Sequence, residues 1–508
     1  VEAPPAESLG IHQKYPAALN EKALSIVVLG ITGDLAKKKT IPALFKLFRE
    51  GLIPTCSHIV GYARSEVQNL AAFRETFTPY LGKVDPSKEL VISHFLSRIT
   101  YVQGSYDKVE DFTKLDQHLR EIEAPSQNQG NRLFYLALPP TVFVGACTGI
   151  RQAAMPQTGG WVRVIVEKPF GRDTASSNLL SQQLSALFSE NQIFRIDHYL
   201  GKEMVQNIVT TRFANRVFAS LWNNNNIANV QITFKEKIGT EGRGGYFDNF
   251  GIIRDVIQNH LTQILALVGM EKPRSLNAED IRDEKVALLR CVEPVKVSDC
   301  VLGQYTASPD GKIPGYLEDP TVPKGSKCPT FAIMRLNINN DRWRNVPFII
   351  KAGKALESKA VSIRIQFHEE VRPFLDKTQR NELVIRAQPN ESMYIKITTK
   401  TPGLGMQAMD THQTELDLTY QNRYQVDLPD AYESLISEAI FGSSTNFVRS
   451  DELEAAWEIF TPLLHAIDRG EVTPTPYVAG SRGPAEADKL TEACGYRRYA
   501  GYQWDSKI

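Results

Sequence analysis

The chain has 508 residues, 42% of them hydrophobic and 9% aromatic, which supports large packed cores and excludes wholesale disorder. Its 58 basic residues balance 58 acidic ones, which argues against a nucleic-acid coat or another extended polyanion surface. No run of about 18 apolar residues occurs, so no membrane span is predicted, and roughly 150 residues per domain gives about three units, or two large ones.

The first predicted strand is ALSIVVLG at 23–30, a continuous apolar run of the kind buried on both faces of a parallel sheet. GITGDLAKKK at 30–39 follows and opens a helix. A glycine at a strand end permits the tight turn, a second lets backbone N–H groups approach a pyrophosphate, and the helix N-terminus favours its charge. Gly30, Thr32, Gly33, Asp34, Leu35 and Lys37 are the candidate cofactor contacts. The pattern is Gly-x-x-Gly, not the usual Gly-x-Gly-x-x-Gly, and a plain glycine turn between strand and helix would read the same.

TIPALFKLFREG continues that helix, with Leu44, Leu47 and Phe48 on one face and Gly51 as a stop. The second strand, HIVGYAR at 58–64, ends in Arg64 where an NAD site would place an acid for the ribose 2′-hydroxyl. A planar guanidinium suits a 2′-phosphate, so NADP is the expected cofactor, unless Arg64 is simply a solvated surface residue. RLFYLALPP at 132–140 and VRVIVEKPF at 162–170 are further apolar strands. The alternation of strand and helix predicts a Rossmann-type dinucleotide-binding domain over residues 20–196.

RIDHYLGKE at 195–203 gathers an acid, an imidazole, a phenol and an ammonium where this rhythm ends. On a helical face His198, Tyr199 and Lys202 would converge on a phosphate, although a solvated polar turn has the same composition. Beyond residue 225 the pattern alternates: NVQITFKE, FAIMRLNIN, VSIRIQFH, ELVIRAQP, MYIKITTK and ELDLTYQ predict a mostly antiparallel sheet with one covered face. Helices at 252–268 and 430–468 are the expected cover, making residues 197–508 an α+β domain and the whole chain α/β plus α+β. Within the first of these helices His260 lies on a stripe formed by Ile253, Val256, Ile257, Leu261, Ile264 and Leu265, with Asp255 off the stripe. Such a histidine is either a satisfied core residue or, with Asp197 on one ring nitrogen, a base near neutral pH.

GITGDLAKKK, VEKPFGRD, RIDHYLGKEMVQN, EGRGGYFDNFGIIRDVIQNH and FIIKAGKAL together resemble the glucose-6-phosphate dehydrogenase family, in the same order and over nearly the whole chain. The resemblance implies oxidation of glucose 6-phosphate at C1 to the 6-phosphogluconolactone with NADP, and no metal. It implies His260 as the general base, Asp197 as its carboxylate partner, and His198, Tyr199 and Lys202 as the phosphate cradle. Lys168 would sit between sugar and nicotinamide, and Glu236, Asp255, Lys354 and Gln388 would bind sugar hydroxyls. Lys359 stands where the family often has arginine, keeping the charge without the fork.

A second, structural NADP occurs in some members, and Arg364, Arg386, Arg482 and Trp504 look like parts of that site. Ala360 replaces an expected cation there and Lys351 an expected arginine. Homodimers or homotetramers through the large sheet are expected, with no nucleic-acid or membrane partner. The six cysteines are scattered without a CxxC pair or nearby histidines, which suits a reducing compartment and a cytoplasmic location. The terminal Ser506-Lys507-Ile508 approaches the peroxisomal Ser-Lys-Leu address and gives a peroxisome-like organelle as the alternative. Because the sequence starts at Val1, an upstream segment is expected to have been removed.

Overall fold

The computed structural model describes residues 14, 23–54, 57–82, 89–126, 130–157, 159–369, 379–402, 411–419 and 428–498. They fall into two compact units. The first comprises 1–171, 175–201 and 429–450; the second comprises 172–174, 202–428 and 451–508.

In the first unit β1 (Ala23–Leu29), β2 (His58–Ala63), β3 (Ile99–Gln103), β4 (Gly130–Leu136), β5 (Val162–Val166) and β6 (Ile193–Arg195) form one sheet in the order β3-β2-β1-β4-β5-β6. Every pairing is parallel. The strand order reverses between β1 and β4, which is where this class of sheet binds a dinucleotide at the carboxyl ends of its strands. β1 is buried along its whole length, as its unbroken apolar run requires. Two of the six strands escape the sequence reading. β3 is mostly half-buried and carries Thr100 and Gln103, and β6 spans only three residues.

The segment expected as a single helix over 430–468 is two. Ala431–Phe441 ends at Gly442, which adopts φ +82°, and the chain restarts as Ser450–Asp468. Glycine takes the left-handed conformation without a Cβ penalty, so it stops the helix there. Ala431–Phe441 does not cover the large sheet. Its Leu435, Ile436, Ala439 and Ile440 enter the core of the first unit beside Leu24, Ile26, Ile41, Leu44 and Phe48.

The second unit is built on a nine-stranded sheet. Its strands are β7 (Ile227–Lys235), β8 (Cys300–Thr306), β9 (Phe331–Leu336), β10 (Phe348–Gly353), β11 (Ala360–Phe367), β12 (Glu382–Gln388), β13 (Ser392–Lys400), β14 (Thr411–Thr419) and β15 (Thr475–Val478). The order is β14-β13-β12-β11-β7-β10-β9-β8-β15, antiparallel except for the β7–β10 and β8–β15 pairs. β10 is buried throughout. Its FIIKAG therefore lacks the alternation that marks a half-covered strand, and it sits at the parallel pairing in the sheet's middle.

Candidate functional site

The turn after β1 is fixed by backbone bonds to both neighbouring strands. Gly30 N–H donates to Tyr62 O (2.8 Å) and Ala137 N–H to Leu29 O (3.0 Å), which places the turn at the strand-order reversal. Gly30 has φ +81°, and a Cβ there would lie 2.4 Å from Ala137 O. Gly33 N–H returns to Gly30 O (2.9 Å) and the helix begins, wound as a π-helix over Ala36–Thr40 and as an α-helix over Ile41–Arg49. Gly33 and Asp34 are exposed, Thr32, Leu35 and Lys37 half-buried, and Lys38 pairs with Asp34 at 2.8 Å. An open glycine turn ahead of a helix N-terminus fits a pyrophosphate. Arg64 follows β2 directly, exposed, with its guanidinium 5.6 Å from the Tyr106 ring centre.

A second group of residues lies at the carboxyl ends of β5 and β6. Glu167 follows β5, is 5% exposed and accepts a hydrogen bond from the Tyr135 hydroxyl. Burial pushes its carboxyl up to about 7, against the Tyr135 hydrogen bond and the charge of Lys168. After β6, buried Asp197 accepts the Tyr199 N–H at 2.9 Å. The half-buried His198 ring lies 5.0 Å from Tyr199 and stacks on Tyr432 at 5.8 Å.

The helical face expected to align His198, Tyr199 and Lys202 does not exist. Residues 197–202 form a turn, and the helix starts at Glu203 with Lys202 extended at its N-cap (φ −81°, ψ 132°). Tyr199 is buried, at 3% exposure. Lys202 opens the second unit, where Glu391 feels its charge and accepts the Met204 N–H at 3.3 Å. Burial holds the Glu391 carboxyl above its ordinary range.

In the second unit His260 is 3% exposed on a π-wound stretch, Ile253–Leu261, which runs on as the helix Thr262–Gly269. Local π-winding recurs at functional sites. Lys354 follows β10, and its ammonium lies 2.5 Å from Glu236 and 3.8 Å from Asp255. Glu236 follows β7 directly and donates its N–H to Gly353 O at 2.9 Å, so the central parallel pair brings acid and lysine together. Lys359 is exposed just ahead of β11, and Gln388 is half-buried at the end of β12. No contact joins either of them to Lys354 in the described hydrogen-bond or ion-pair geometry. The second unit also holds a cavity of about 430 Å³ lined by Lys351, Arg364, Glu382, Arg386, Lys396 and Arg482, with Ala360 on its wall. Trp504 lies outside the described residues.

A further buried charge cluster lies in the first unit. Arg132, 1% exposed near the amino end of β4, meets Asp116 at 2.6 Å and Glu123 at 2.7 Å, and Ser25 donates to Glu123 at 2.8 Å. These groups satisfy one another at the end of the sheet opposite the dinucleotide turn.

Residues 27–207 match the NAD-binding domain of glucose-6-phosphate dehydrogenase, and residues 209–505 match that enzyme's C-terminal domain. The chain belongs to the glucose-6-phosphate dehydrogenase family. It is 54% identical over 504 residues to glucose-6-phosphate 1-dehydrogenase 5, cytoplasmic, of Arabidopsis thaliana, covering 97% of this chain and 95% of that one. Over 493 residues it is 51% identical to the Dictyostelium discoideum glucose-6-phosphate 1-dehydrogenase, covering 96% and 97%. A solved glucose-6-phosphate dehydrogenase in complex with its substrate glucose 6-phosphate superposes with TM-score 0.90 at 46% identity, over 94% of this chain and 98% of that one. The Mycobacterium avium glucose-6-phosphate 1-dehydrogenase gives TM-score 0.81 at 31% identity, over 96% and 100%. Membership makes this chain an oxidoreductase, and its first unit holds most of the family's NAD-binding domain together with residues 429–450, which fall in the match to the C-terminal domain. Among the described residues no helix is long and apolar enough to cross a membrane.

Glu167, Tyr432 and Glu391 escape the sequence reading of the site. Tyr432 comes from the returning helix, more than two hundred residues beyond His198, and no local pattern ties the two together. Glu167 stands in the quoted EKP, where an apolar run followed by a carboxylate was the available signal.

Proposed function

We propose that this protein oxidises glucose 6-phosphate at C1 to 6-phospho-D-glucono-1,5-lactone, with NADP as the acceptor. The Lys354–Glu236–Asp255 cluster carries the reading: an ammonium between two carboxylates offers donors and acceptors to adjacent sugar hydroxyls. The substrate-bound relative supports the choice of sugar. His260 takes the proton of the C1 hydroxyl, and Asp197 orients the ring and stabilises the imidazolium. His198, Tyr199 and Lys202 hold the 6-phosphate, whose binding energy fixes C1 in place. Glu236, Asp255, Lys354, Lys359 and Gln388 bind the rest of the sugar, with Lys168 at its reactive end. NADP, when bound, receives the hydride from C1. Gly30, Thr32, Gly33, Asp34, Leu35 and Lys37 serve its pyrophosphate, and exposed Arg64 serves its 2′-phosphate.

The cationic cavity of the second unit is assigned to a second, structural NADP, supported by the arginines and lysines that converge on it. Self-association as a homodimer or homotetramer is supported by the open edge strand β14, where Leu416 is 62% exposed. A cytoplasmic location is supported by the scattered cysteines and by relatives named as cytoplasmic. The peroxisome-like alternative rests on residues 506–508, outside the described residues.

The deciding experiment follows NADPH absorbance with glucose 6-phosphate, galactose 6-phosphate and free glucose. Glucose 6-phosphate is expected to give the highest kcat/KM. A preference for free glucose would overturn the phosphate cradle, and a preference for galactose 6-phosphate would overturn the substrate.

A further inference from the structure

Lys354 is held twice over, once through its ammonium and once through its main chain. Its N–H donates to Thr330 O at 3.0 Å, and its carbonyl accepts the Tyr477 hydroxyl at 2.7 Å. The next residue, Ala355, is fully buried with φ +50°. Its N–H donates to Ile238 O and its carbonyl accepts the Gly480 N–H, both at 2.8 Å. Leu356 N–H donates to Glu236 O at 2.8 Å, and Glu357 N–H to Ser481 O at 3.0 Å. A left-handed residue with a Cβ persists where its surroundings over-determine it, and this turn is bonded at four successive residues.

Tyr477 lies on β15, is 4% exposed and packs its ring 5.6 Å from Phe331 and 6.4 Å from Tyr305. Phenylalanine would fill that space equally well. What the hydroxyl adds is the bond to the carbonyl of Lys354, with Thr330 Oγ1 as its second neighbour at 3.2 Å. The β15 segment thus reaches Lys354 through a side chain and the following residues through Gly480 and Ser481.

We propose that Tyr477 is a positioning residue for the sugar phosphate: its hydroxyl fixes the carbonyl of Lys354 and so the direction in which the ammonium leaves the chain towards Glu236 and Asp255. This rests on the sugar-binding role assigned to Lys354. Loss of the hydroxyl removes one of the two main-chain bonds at Lys354 and leaves the packing intact, so the effect falls on sugar binding and spares the dinucleotide.

The test uses the full-length enzyme as Tyr477→Phe, Lys354→Ala and the double variant, reading kcat, both KM values and the Tm. Tyr477→Phe is expected to raise the KM for glucose 6-phosphate about 3–10-fold, the effect of one lost hydrogen bond. It should leave kcat and the KM for NADP within about twofold, and on top of Lys354→Ala it should change the sugar KM by less than about 1.5-fold, because coupled neighbours are not additive. An unchanged sugar KM in Tyr477→Phe, the same fold-change in both backgrounds, a parallel rise in the KM for NADP, or a variant that does not fold would each overturn the proposal. A normal sugar KM in Lys354→Ala would remove the role of Lys354 itself, and the positioning with it.

Discussion

Arg64 and Glu167 stand at the same end of one sheet in opposite electrostatic surroundings, one exposed and one buried. Arg64 is exposed beyond β2, and its planar guanidinium suits a phosphate. Arg64→Ala is expected to weaken NADP by about 1.5–3 kcal/mol, the value of a charge-assisted hydrogen bond, and to leave NAD almost unchanged. Dissociation constants for both dinucleotides check this, and equal losses would refute it. Glu167 is the opposite case, a carboxyl raised to about 7 by burial. Between its ordinary range near 4.5 and about 7 the unfolded chain has released this proton while the folded chain keeps it, so stability falls as pH rises through that window. Glu167→Gln removes the titration. Thermal unfolding across pH 5–8 should show the variant gaining on the parent by about 2–3 kcal/mol at most; a constant gap would remove the assigned burial effect.

At the scale of elements, the strands that could be read were those with an unbroken apolar run or a clear alternation in sequence. β1 is apolar and buried on both faces, whereas β11 alternates in sequence but buries Ser362 and Gln366 alongside Val361, Ile363 and Ile365. β3 and β6 were not legible because one is polar along much of its length and the other is three residues long. The glycine turn after β1 was legible because Gly30 and Gly33 are local. Tyr432 and Tyr477 were not, because tertiary packing alone brings them to His198 and Lys354. The unbroken helix expected over 430–468 failed at Gly442, a residue whose consequence depends on its φ. Arg163 from β5 donates to Ala439 O at 2.9 Å and Ile440 O at 2.5 Å, closing the same helix end. A Cβ at Gly442 would lie 2.5 Å from the Arg163 guanidinium. Gly442→Ala should therefore cost about 1–2 kcal/mol from the left-handed backbone, more if Arg163 is displaced. The Tm measures it, and an unchanged Tm would show that this end of the helix can rearrange freely.

For the whole molecule, the second dinucleotide site proposed for the cavity of the second unit would separate stability from turnover. Lys351 on its wall is 6% exposed, and burial holds its amine down to about 8 while it donates to Arg482 O at 3.0 Å. A polyanion entering the cavity would favour the charged amine and, binding the folded state alone, raise the Tm by mass action. In an Arg64→Ala background NADP is expected to raise the Tm, and Arg386→Ala added to it should abolish the rise. A full rise in that double variant would place the stabilising site elsewhere.

The return of residues 429–450 to the first unit has a consequence for how this protein can be divided. A chain severed after Gly201 would carry all six strands of the nucleotide sheet but not Leu435, Ile436, Ala439 or Ile440, leaving bare the apolar surface those side chains seal. Such a fragment is expected to be destabilised unless that helix is supplied in trans.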